Sequence, residues 1–331
     1  MLGDGPLRHP ATPDGVPRTM RDATREFRHV FGPVPSRRLG FSLGVDLVAP
    51  KTCSMDCIYC ELGPTTNRTV DRSCPVDVDA VVREVEAVLR DRPRVDYVTL
   101  SGSGEPTLNS RLDDVIRGIR RVTDVRVAVL TNASLMTDPA VCSALDLADV
   151  VLPSLDAVSP DAFERVNRPH PSLAPSAIVS AIAAFSRSSK AGVWLESVFV
   201  TGVNDGDCEI GLLRDAIAEI APERVHVNTV VRPPAVPGTL PVAPGALEAI
   251  ARKLGPRAEV IATPGTSTQR QMKRDAEDTI VAMAARRPIT IDDVATALGT
   301  SHAHAGRILA QLVEKKLLTL VPHGEKLYHV A

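Results

Sequence analysis

Short apolar segments alternate with amphipathic segments along the central part of the chain. Six segments rich in valine and leucine are apolar on both faces, which predicts strands covered on both sides, at residues 41–47, 95–101, 125–131, 149–154, 193–200 and 224–229. Apolar residues with a helical period lie between them, at residues 76–90, 112–121, 139–147, 175–188, 210–220 and 245–254. This order predicts an α/β fold whose parallel sheet curls into an open or closed barrel, with residues 258–262 as a final strand.

The two ends of the chain show different patterns. Residues 1–28 lack hydrophobic periodicity, which predicts a mobile arm. The predicted barrel then covers residues 29–262, and residues 263–271 are predicted to form a polar linker. Residues 272–331 predict a smaller unit with helices at 275–286 and 303–316 and strands at 317–321 and 326–330. Between the two helices, Thr290 and Asp293 form a capping box for a short helix that ends at Gly299. This order of elements is typical of a winged-helix domain.

Composition and charge narrow the class of protein. The 331 residues suggest about two domains, and 44% hydrophobic and 24% charged residues are ordinary values for a soluble enzyme. The net charge of −2 provides no overall attraction to nucleic acid or to an anionic membrane. Since the polar, proline-rich start has no apolar signal core and no segment is long and apolar enough to span a bilayer, we expect a cytoplasmic protein without a membrane partner.

Three cysteines lie within eight residues, at Cys53, Cys57 and Cys60, directly after the first predicted strand. Three thiolates at this spacing suit three corners of a 4Fe–4S cluster and leave one iron without a protein ligand. A zinc ion with a distant fourth ligand is the alternative. The other cysteines are isolated in the sequence and are expected to be small buried residues: Cys74, Cys142 and Cys208.

The cysteine segment resembles the signature of the radical S-adenosylmethionine (SAM) superfamily, in which an aromatic residue precedes the third cysteine, here Tyr59. The resemblance implies a partial (β/α)6 barrel and an enzyme whose cofactors are a 4Fe–4S cluster and SAM. It also implies reductive cleavage of SAM to a 5′-deoxyadenosyl radical, with an electron donor such as flavodoxin or ferredoxin as a partner. By the same resemblance, the three cysteines bind the cluster and Tyr59 lies beside the adenine.

Four further segments follow predicted strands, where a barrel places its binding loops. Residues 101–106 look like the glycine–glutamate motif of the superfamily, with serine in place of the first glycine, and this implies that Gly104 and Glu105 contact the amino group of SAM. Asn132 and Ser154 are candidates for the ribose hydroxyls and the methionyl carboxylate, although both are also typical helix caps. Asn204 lies in a turn that resembles the one near the adenine in glycyl-radical activating enzymes, and an ordinary turn is the alternative.

A narrower resemblance rests on residues 31–40, 152–156 and 167–170 and covers about residues 29–262. These segments look like bacterial and archaeal radical SAM proteins grouped with the wyosine (tRNA-modifying) synthases. The implied substrate is tRNA, and a protein or a small molecule is the alternative. A transcriptional regulator that uses the cluster as a sensor and the winged helix for DNA is a third hypothesis. However, residues 271–331 hold eight basic and seven acidic residues, a weak footprint for phosphate.

Polar residues near the predicted site could bind a substrate. Because guanidinium groups bind carboxylate and phosphate through a planar fork, candidates for an anionic substrate lie in or beside the loops that face the site: Arg37, Arg38, Arg168, His170 and Arg232. Glu196 and Asn228 lie within apolar strands, where an unpaired polar group is costly. Their positions therefore favour side chains that point into the barrel.

Overall fold

The computed structural model describes residues 27–90, 94–261 and 276–331. The predicted linker and all but the last two residues of the predicted arm lie outside these ranges. Within them, eight strands form the central sheet: β1 (Val30–Ser36), β2 (Gly40–Val45), β5 (Tyr97–Leu100), β6 (Arg126–Thr131), β7 (Val150–Pro153), β8 (Gly192–Phe199), β9 (Arg224–Thr229) and β10 (Ala258–Val260). Two short strands, β3 (Thr52–Cys53) and β4 (Asn67–Arg68), pair with each other outside this sheet.

The strand order is β1-β2-β5-β6-β7-β8-β9-β10, and every neighbouring pair from β2 onward is parallel. This arrangement confirms the predicted α/β class and the partial radical SAM barrel. Each predicted strand forms, with bounds that differ by at most two residues. Strand β1, which pairs antiparallel with β2, was not predicted, because Gly32, Pro33 and Pro35 interrupt its apolar pattern.

Helices cover the outer face of the sheet and bury one apolar stripe each against it. Their bounds are α1 (Val78–Arg90), α2 (Leu112–Val122), α3 (Pro139–Leu145), α4 (Pro160–Asn167), α5 (Pro175–Ser188), α6 (Asp207–Ile220) and α7 (Pro244–Leu254). The sequence did not predict α4, whose eight residues are too few to show a helical period; Ser159 caps it by accepting a hydrogen bond from the backbone N–H of Ala162. None of the helices in the described ranges is long and apolar enough to cross a membrane.

The interior of the barrel is apolar at one end and polar at the other. A separate buried cluster lies near the amino ends of the strands and consists of Leu39, Tyr97, Ala128, Val150, Leu152 and Trp194. We call this cluster the barrel plug, since it fills the barrel interior near the amino ends of the strands. The carboxyl ends of the strands carry polar residues instead, and the open end of the barrel therefore provides the place for a binding site.

The C-terminal unit consists of three helices and an antiparallel hairpin. Its elements are α8 (Ala276–Ala284), α9 (Ile291–Leu298), α10 (His302–Glu314), β11 (Thr319–His323) and β12 (Lys326–Val330). The predicted capping box of Thr290 and Asp293 is confirmed. An isolated antiparallel bridge joins Ile289 to His329. The elements follow the predicted order, and the assignment of an independent winged-helix domain with the predicted boundaries stays a prediction.

The C-terminal unit packs directly on the barrel. Val34 of β1 belongs to the core of the C-terminal unit and not to the core of the barrel. The hydroxyl of Tyr328 donates a hydrogen bond to the carbonyl of Val231, and Asp293 lies 3.4 Å from the guanidinium of Arg232. Although burial opposes ionisation, Arg287 and Arg232 hold the pKa of Asp293 below its ordinary value.

We expect Asp293→Asn to lower the free energy of unfolding at pH 7 by about 2 kcal/mol, because the charged form accepts hydrogen bonds from Thr290. A carboxyl group with a lowered pKa stabilises the folded state above its unfolded pKa, and this contribution is lost as the pH falls through the folded pKa. Urea unfolding at pH 7 and below pH 4 should therefore show a difference between wild type and variant that shrinks in acid. The exposed neighbour Asp292 is the control, and an equal effect of Asp292→Asn would contradict this account.

Candidate functional site

A cavity of about 360 Å³ opens at the carboxyl ends of the parallel strands. The loop between β2 and α1, which carries the cysteines, forms one side of it. The ends of β5, β6 and β7 form the next part of the wall. Eight of the nine predicted site residues line this cavity: Cys53, Tyr59, Cys57, Cys60, Gly104, Glu105, Asn132 and Ser154.

Backbone hydrogen bonds join the cysteine loop to the end of β5. The N–H of Lys51 donates to the carbonyl of Ser103 at 2.6 Å, and the N–H of Glu105 donates to the carbonyl of Thr52 at 3.1 Å. At Gly104 a Cβ atom would lie 1.9 Å from the Thr52 oxygen. The glycine is therefore needed for close backbone approach and not for an unusual conformation.

The opposite side of the cysteine loop is held by residues 166–170. The N–H groups of Asp56 and Ile58 donate to the carbonyls of Asn167 and Val166, each at 3.0 Å, and His170 N–H donates to Ser54 at 2.8 Å. The side chains of Arg168 and His170 do not line the cavity; they lie against Asp56 and Ser172. The motif at 167–170 thus positions the cysteines through its backbone, and we withdraw its side chains as candidates for an anionic substrate.

Cys53, Cys57 and Cys60 all line the cavity, and three thiolates are the set of protein ligands that leaves one iron of a 4Fe–4S cluster open. The amide of Asn132 lies 3.4 Å from Cys53 Sγ, and the amide of Asn167 lies 3.3 Å from Cys57 Sγ. Burial raises the pKa of Cys53 to about 12 and that of Cys60 to about 11. These thiols are therefore protonated at neutral pH, and they must release protons as they bind iron.

Tyr59 takes part in a buried network beside the thiols. Its hydroxyl donates to the carboxylate of Asp156, which also accepts hydrogen bonds from the amide of Asn167 at 2.7 Å and the N–H of Val198 at 2.8 Å. Burial raises the pKa of Asp156 to about 6 despite these donors. The carboxyl group is therefore charged at neutral pH and protonated in mild acid.

The carboxylate of Glu105 is buried and bonded within the protein. Its Oε1 accepts hydrogen bonds from the N–H and hydroxyl of Thr107 and from the hydroxyl of Thr131, at 2.6 to 3.0 Å, and Oε2 accepts from Asn132 N–H at 2.7 Å. Burial raises its pKa. Glu105 thus fixes the loop after β5 to the end of β6, which positions the backbone that faces the cavity.

Asn204 is the predicted site residue that the structure places elsewhere. Its side chain is fully buried and bonds to backbone groups on both sides, accepting from Val200 N–H and donating to the carbonyls of Asp156 and Val198. These bonds use the donors and the acceptor of the Asn204 amide, and they hold the turn after β8 closed. We therefore leave Asn204 out of the proposed SAM site.

The isolated cysteines are only partly as expected. Cys74 and Cys142 are partly buried, and their thiols donate to the backbone carbonyls of Val76 and Met136. Cys208 is exposed, which corrects the expectation that it is buried, because it lies in the solvent-facing first turn of α6.

Two arginines of the β1–β2 turn reach into the barrel above the plug. Arg38 forms an ion pair with Glu196 of β8, and the amide of Asn228 donates to the same carboxylate at 2.8 Å. Arg37 donates to the Oδ1 of Asn228 at 2.9 Å and to the carbonyl of Ile261 at 3.4 Å. Burial alone would raise the pKa of Glu196, but the positive charge of Arg38 holds this pKa below its ordinary value. Glu196 and Asn228 thus point inward, as their strand positions predicted.

The C-terminal unit supplies Arg286 and Arg287 to the cavity wall. The guanidinium of Arg286 lies 4.8 Å from the ring centre of Phe31, and its Nε is 3.8 Å from the carboxylate of Asp46. Asp46 also accepts hydrogen bonds from the backbone and hydroxyl of Ser103. One carboxylate thus joins the C-terminal unit to the loop after β5.

A second connection runs through Arg232. Its guanidinium lies 3.1 Å from Glu61, which directly follows Cys60, and 3.4 Å from Asp293. Arg287 lies 3.6 Å from the same Asp293. Sequence reasoning missed Arg286 and Arg287 as site residues, since an arginine pair before a proline is their only signal.

Comparison with known proteins agrees with this geometry. Residues 48–210 match the family model of the radical SAM superfamily. A UPF0026 protein of Synechocystis is 36% identical over 208 residues, which cover 62% of this chain and 77% of that protein. A protein of Brachyspira hyodysenteriae named GTPase Obg is 32% identical over 87% of this chain, and the chain spans 43% of its length. A solved structure of TYW1 with a lysine-pyruvate adduct bound has 16% identity and a TM-score of 0.51 over 68% of this chain and 75% of that chain, which shows a shared fold.

The fold, the cysteine loop and the family match define an iron–sulfur enzyme of the radical SAM superfamily. The family match assigns it a 4Fe–4S cluster and SAM as cofactors, in agreement with the first interpretation of the three cysteines. Within this superfamily, the chain belongs to the UPF0026 family.

We expect Gly104→Ala to disturb the cysteine loop, because the new methyl group would meet the Thr52 carbonyl, a backbone atom that cannot move aside. The free energy of unfolding should fall by about 1–3 kcal/mol, as in other overpacked sites. Iron bound per chain after anaerobic reconstitution should fall as well.

Gly211→Ala is the matched control, since a methyl group there meets no atom within 4 Å and the residue lies inside α6. This change should stabilise the protein by about 0.5–1 kcal/mol and leave iron binding unchanged. Normal iron content in Gly104→Ala would show that the close approach does not position the cysteines.

Proposed function

We propose that this chain cleaves SAM reductively in the cavity at Cys53, Cys57 and Cys60, and that the resulting 5′-deoxyadenosyl radical modifies a substrate held in the same cavity. The convergence of these thiols with Tyr59 and Ser154 on one cavity carries the proposal. When bound, the cluster supplies the electron that splits the sulfonium of SAM into methionine and the radical. A flavodoxin or ferredoxin in the cytoplasm would serve as the electron donor.

Different residues of the chain would act on the sulfurs and on SAM. Asn132 and Asn167 direct amide donors at two of the sulfurs, which stabilises them as thiolates. The loop with Gly104 and Glu105 presents backbone groups to the amino group of SAM, and Tyr59 lies beside the adenine. Leu39 and Leu152 of the plug contribute apolar surface to the cavity, which would hold less water near the radical.

Two classes of substrate follow from this site. A small molecule, or a short part of a protein, suits a cavity of about 360 Å³ that is lined by the barrel and the C-terminal unit. Modification of tRNA is the second candidate. It is favoured by the similarity in fold to TYW1 and by the likeness of residues 31–40, the cysteine segment, 152–156 and 167–170 to proteins grouped with the wyosine synthases. In both cases we propose that residues 272–331 form a winged-helix-like domain, joined by the linker 263–271 to a barrel over 29–262. An iron–sulfur transcriptional regulator would not require a cavity with groups for SAM.

The cluster is tested by replacing each cysteine. Cys53→Ala, Cys57→Ala and Cys60→Ala should each abolish the 4Fe–4S cluster after anaerobic reconstitution, because three sulfurs are the minimum set for this cluster. In the wild type, SAM should change the electron paramagnetic resonance spectrum of the reduced protein, and a strong reductant should release methionine and 5′-deoxyadenosine. The exposed Cys208 provides the control, Cys208→Ala, which should behave as the wild type does. A wild-type protein that binds stoichiometric zinc and no cluster would refute the proposal.

The SAM loop is tested by Glu105→Gln. Glutamine has only one accepting oxygen, so it can replace the carboxylate at Oε1 or at Oε2 but not at both. The contact of this side chain with the end of β6 should therefore weaken, while the backbone contact with Thr52 is kept, and SAM should bind at least about tenfold more weakly. Iron content should stay near that of the wild type. Glu209→Gln makes the same change at a buried carboxylate that accepts three hydrogen bonds outside the cavity. Equal SAM affinity in the two variants would contradict the assigned role.

A further inference from the structure

Six basic and three acidic side chains line the cavity within the described residues. Three of the basic side chains face carboxylates. Arg38 pairs with Glu196, Arg232 lies between Glu61 and Asp293, and Arg286 lies beside Asp46. These pairs neutralise much of the charge in the wall. The other three basic side chains are Arg37 and Arg287, which face the barrel and the C-terminal unit, and Lys51, which lies on the cysteine loop.

Arg37 and Arg287 are the arginines of the wall with incomplete partners. Among the described residues, no carboxylate oxygen lies within 4.0 Å of the Arg37 guanidinium, whose hydrogen bonds go to the neutral Asn228 and Ile261. Arg287 shares Asp293 with Arg232 at 3.6 Å, and its buried Nη2 donates no hydrogen bond to any described residue. Glu61 contributes negative charge to both guanidinium groups, but its ion pair is with Arg232. Four arginines (Arg37, Arg38, Arg232 and Arg287) thus share three carboxylates (Glu61, Glu196 and Asp293), and a further anion would be bound favourably here.

The two arginines line the same cavity from different parts of the chain, Arg37 from the β1–β2 turn and Arg287 from the segment after α8. Burial, and then the charges of Arg38 and Arg232, lower the pKa of Arg37 to about 10. Burial, and then Arg232, also lower the pKa of Arg287. The like charges around each guanidinium add to the cost of burying it.

We propose that the cavity binds the oxyanion of a small substrate, a carboxylate or a phosphate, between Arg37 and Arg287. This inference rests on the proposed function, in which the substrate shares the cavity with SAM. Guanidinium groups form two parallel hydrogen bonds to such oxyanions. Arg37 enters from the closed side of the barrel, two residues before Leu39 of the plug. The end of a small molecule suits this position better than an internal phosphate of RNA, which carries chain on both sides.

The test measures binding of two probes, inorganic phosphate and malonate, to the full-length reconstituted protein at constant ionic strength. We expect at least one probe to raise the melting temperature of the wild type, and the better probe identifies the class of oxyanion. Arg37→Gln and Arg287→Gln should each weaken that binding about tenfold or more, as expected for loss of a charge-assisted hydrogen bond. Arg214→Gln removes an exposed arginine that pairs with Asp215 on α6, and it should bind the probe as the wild type does.

Further measurements separate the possible failures. Arg37→Lys and Arg287→Lys keep the charge but lose the planar fork, so weaker probe binding by these variants also supports the proposal if a glutamine variant does not fold. Equal probe binding by wild type and all variants would overturn it. Competition between the probe and SAM in the wild type would also overturn it, because the arginines would then hold the carboxylate of SAM. Protection by total tRNA and by neither small anion would overturn it as well.

Measuring SAM cleavage by the same wild-type sample under a strong reductant distinguishes a failure of the proposed function from a failure of the proposed oxyanion site. Absence of cleavage would contradict the proposed function. A wild type that cleaves SAM but whose probe binding is insensitive to Arg37→Gln and Arg287→Gln would contradict the substrate class alone.

Discussion

The close approach of two backbone segments determines the position of the three thiols. The carbonyl of Thr52 lies where a Cβ at residue 104 would have to be, so the cysteine loop rests directly on the loop after β5. Residues 166–170 hold the other side of the loop through backbone hydrogen bonds. Both contacts are made by the backbone, so the fold positions the cysteine loop from two sides independently of its side chains. Burial keeps the thiol of Cys53 protonated, and cluster assembly is therefore coupled to proton release.

Carboxylates connect the C-terminal unit to this centre. Asp46 lies between Ser103 of the loop after β5 and Arg286, and Glu61, next to Cys60, pairs with Arg232, which in turn meets Asp293. Because breaking a largely buried ion pair leaves an unpaired charge, movement of the C-terminal unit is costly while these pairs persist. A segment that the sequence marked as separate is thus part of the wall of the cavity.

The sequence predicted those features of the fold and the site that depend on residues close together along the chain. The alternation of buried strands and amphipathic helices predicted the parallel sheet, and the cysteine spacing predicted three thiols that the fold places in one cavity, because both patterns depend on neighbouring residues. The role of Asn204 could not be read in this way, since its turn resembles a binding turn and its amide is used by backbone groups that only the fold brings together. Arg287 joins the cavity from a position more than 200 residues beyond Cys60, and no periodicity or motif carries information over that distance.

Two carboxylates beside the thiols contribute negative charge to the site. Glu105 and Asp156 lie close enough to the cysteines to raise the pKa values of Cys53 and Cys57, although burial is the larger cause. In the proposed function, these carboxylates would attract the cationic sulfonium and ammonium groups of SAM, and the arginines of the cavity wall would repel them. Because the pKa of Asp156 is about 6, its part of this attraction weakens in mild acid. The proposed oxyanion site rests on the same electrostatics, since the guanidinium groups of Arg37 and Arg287 would attract an anion as the carboxylates would attract SAM.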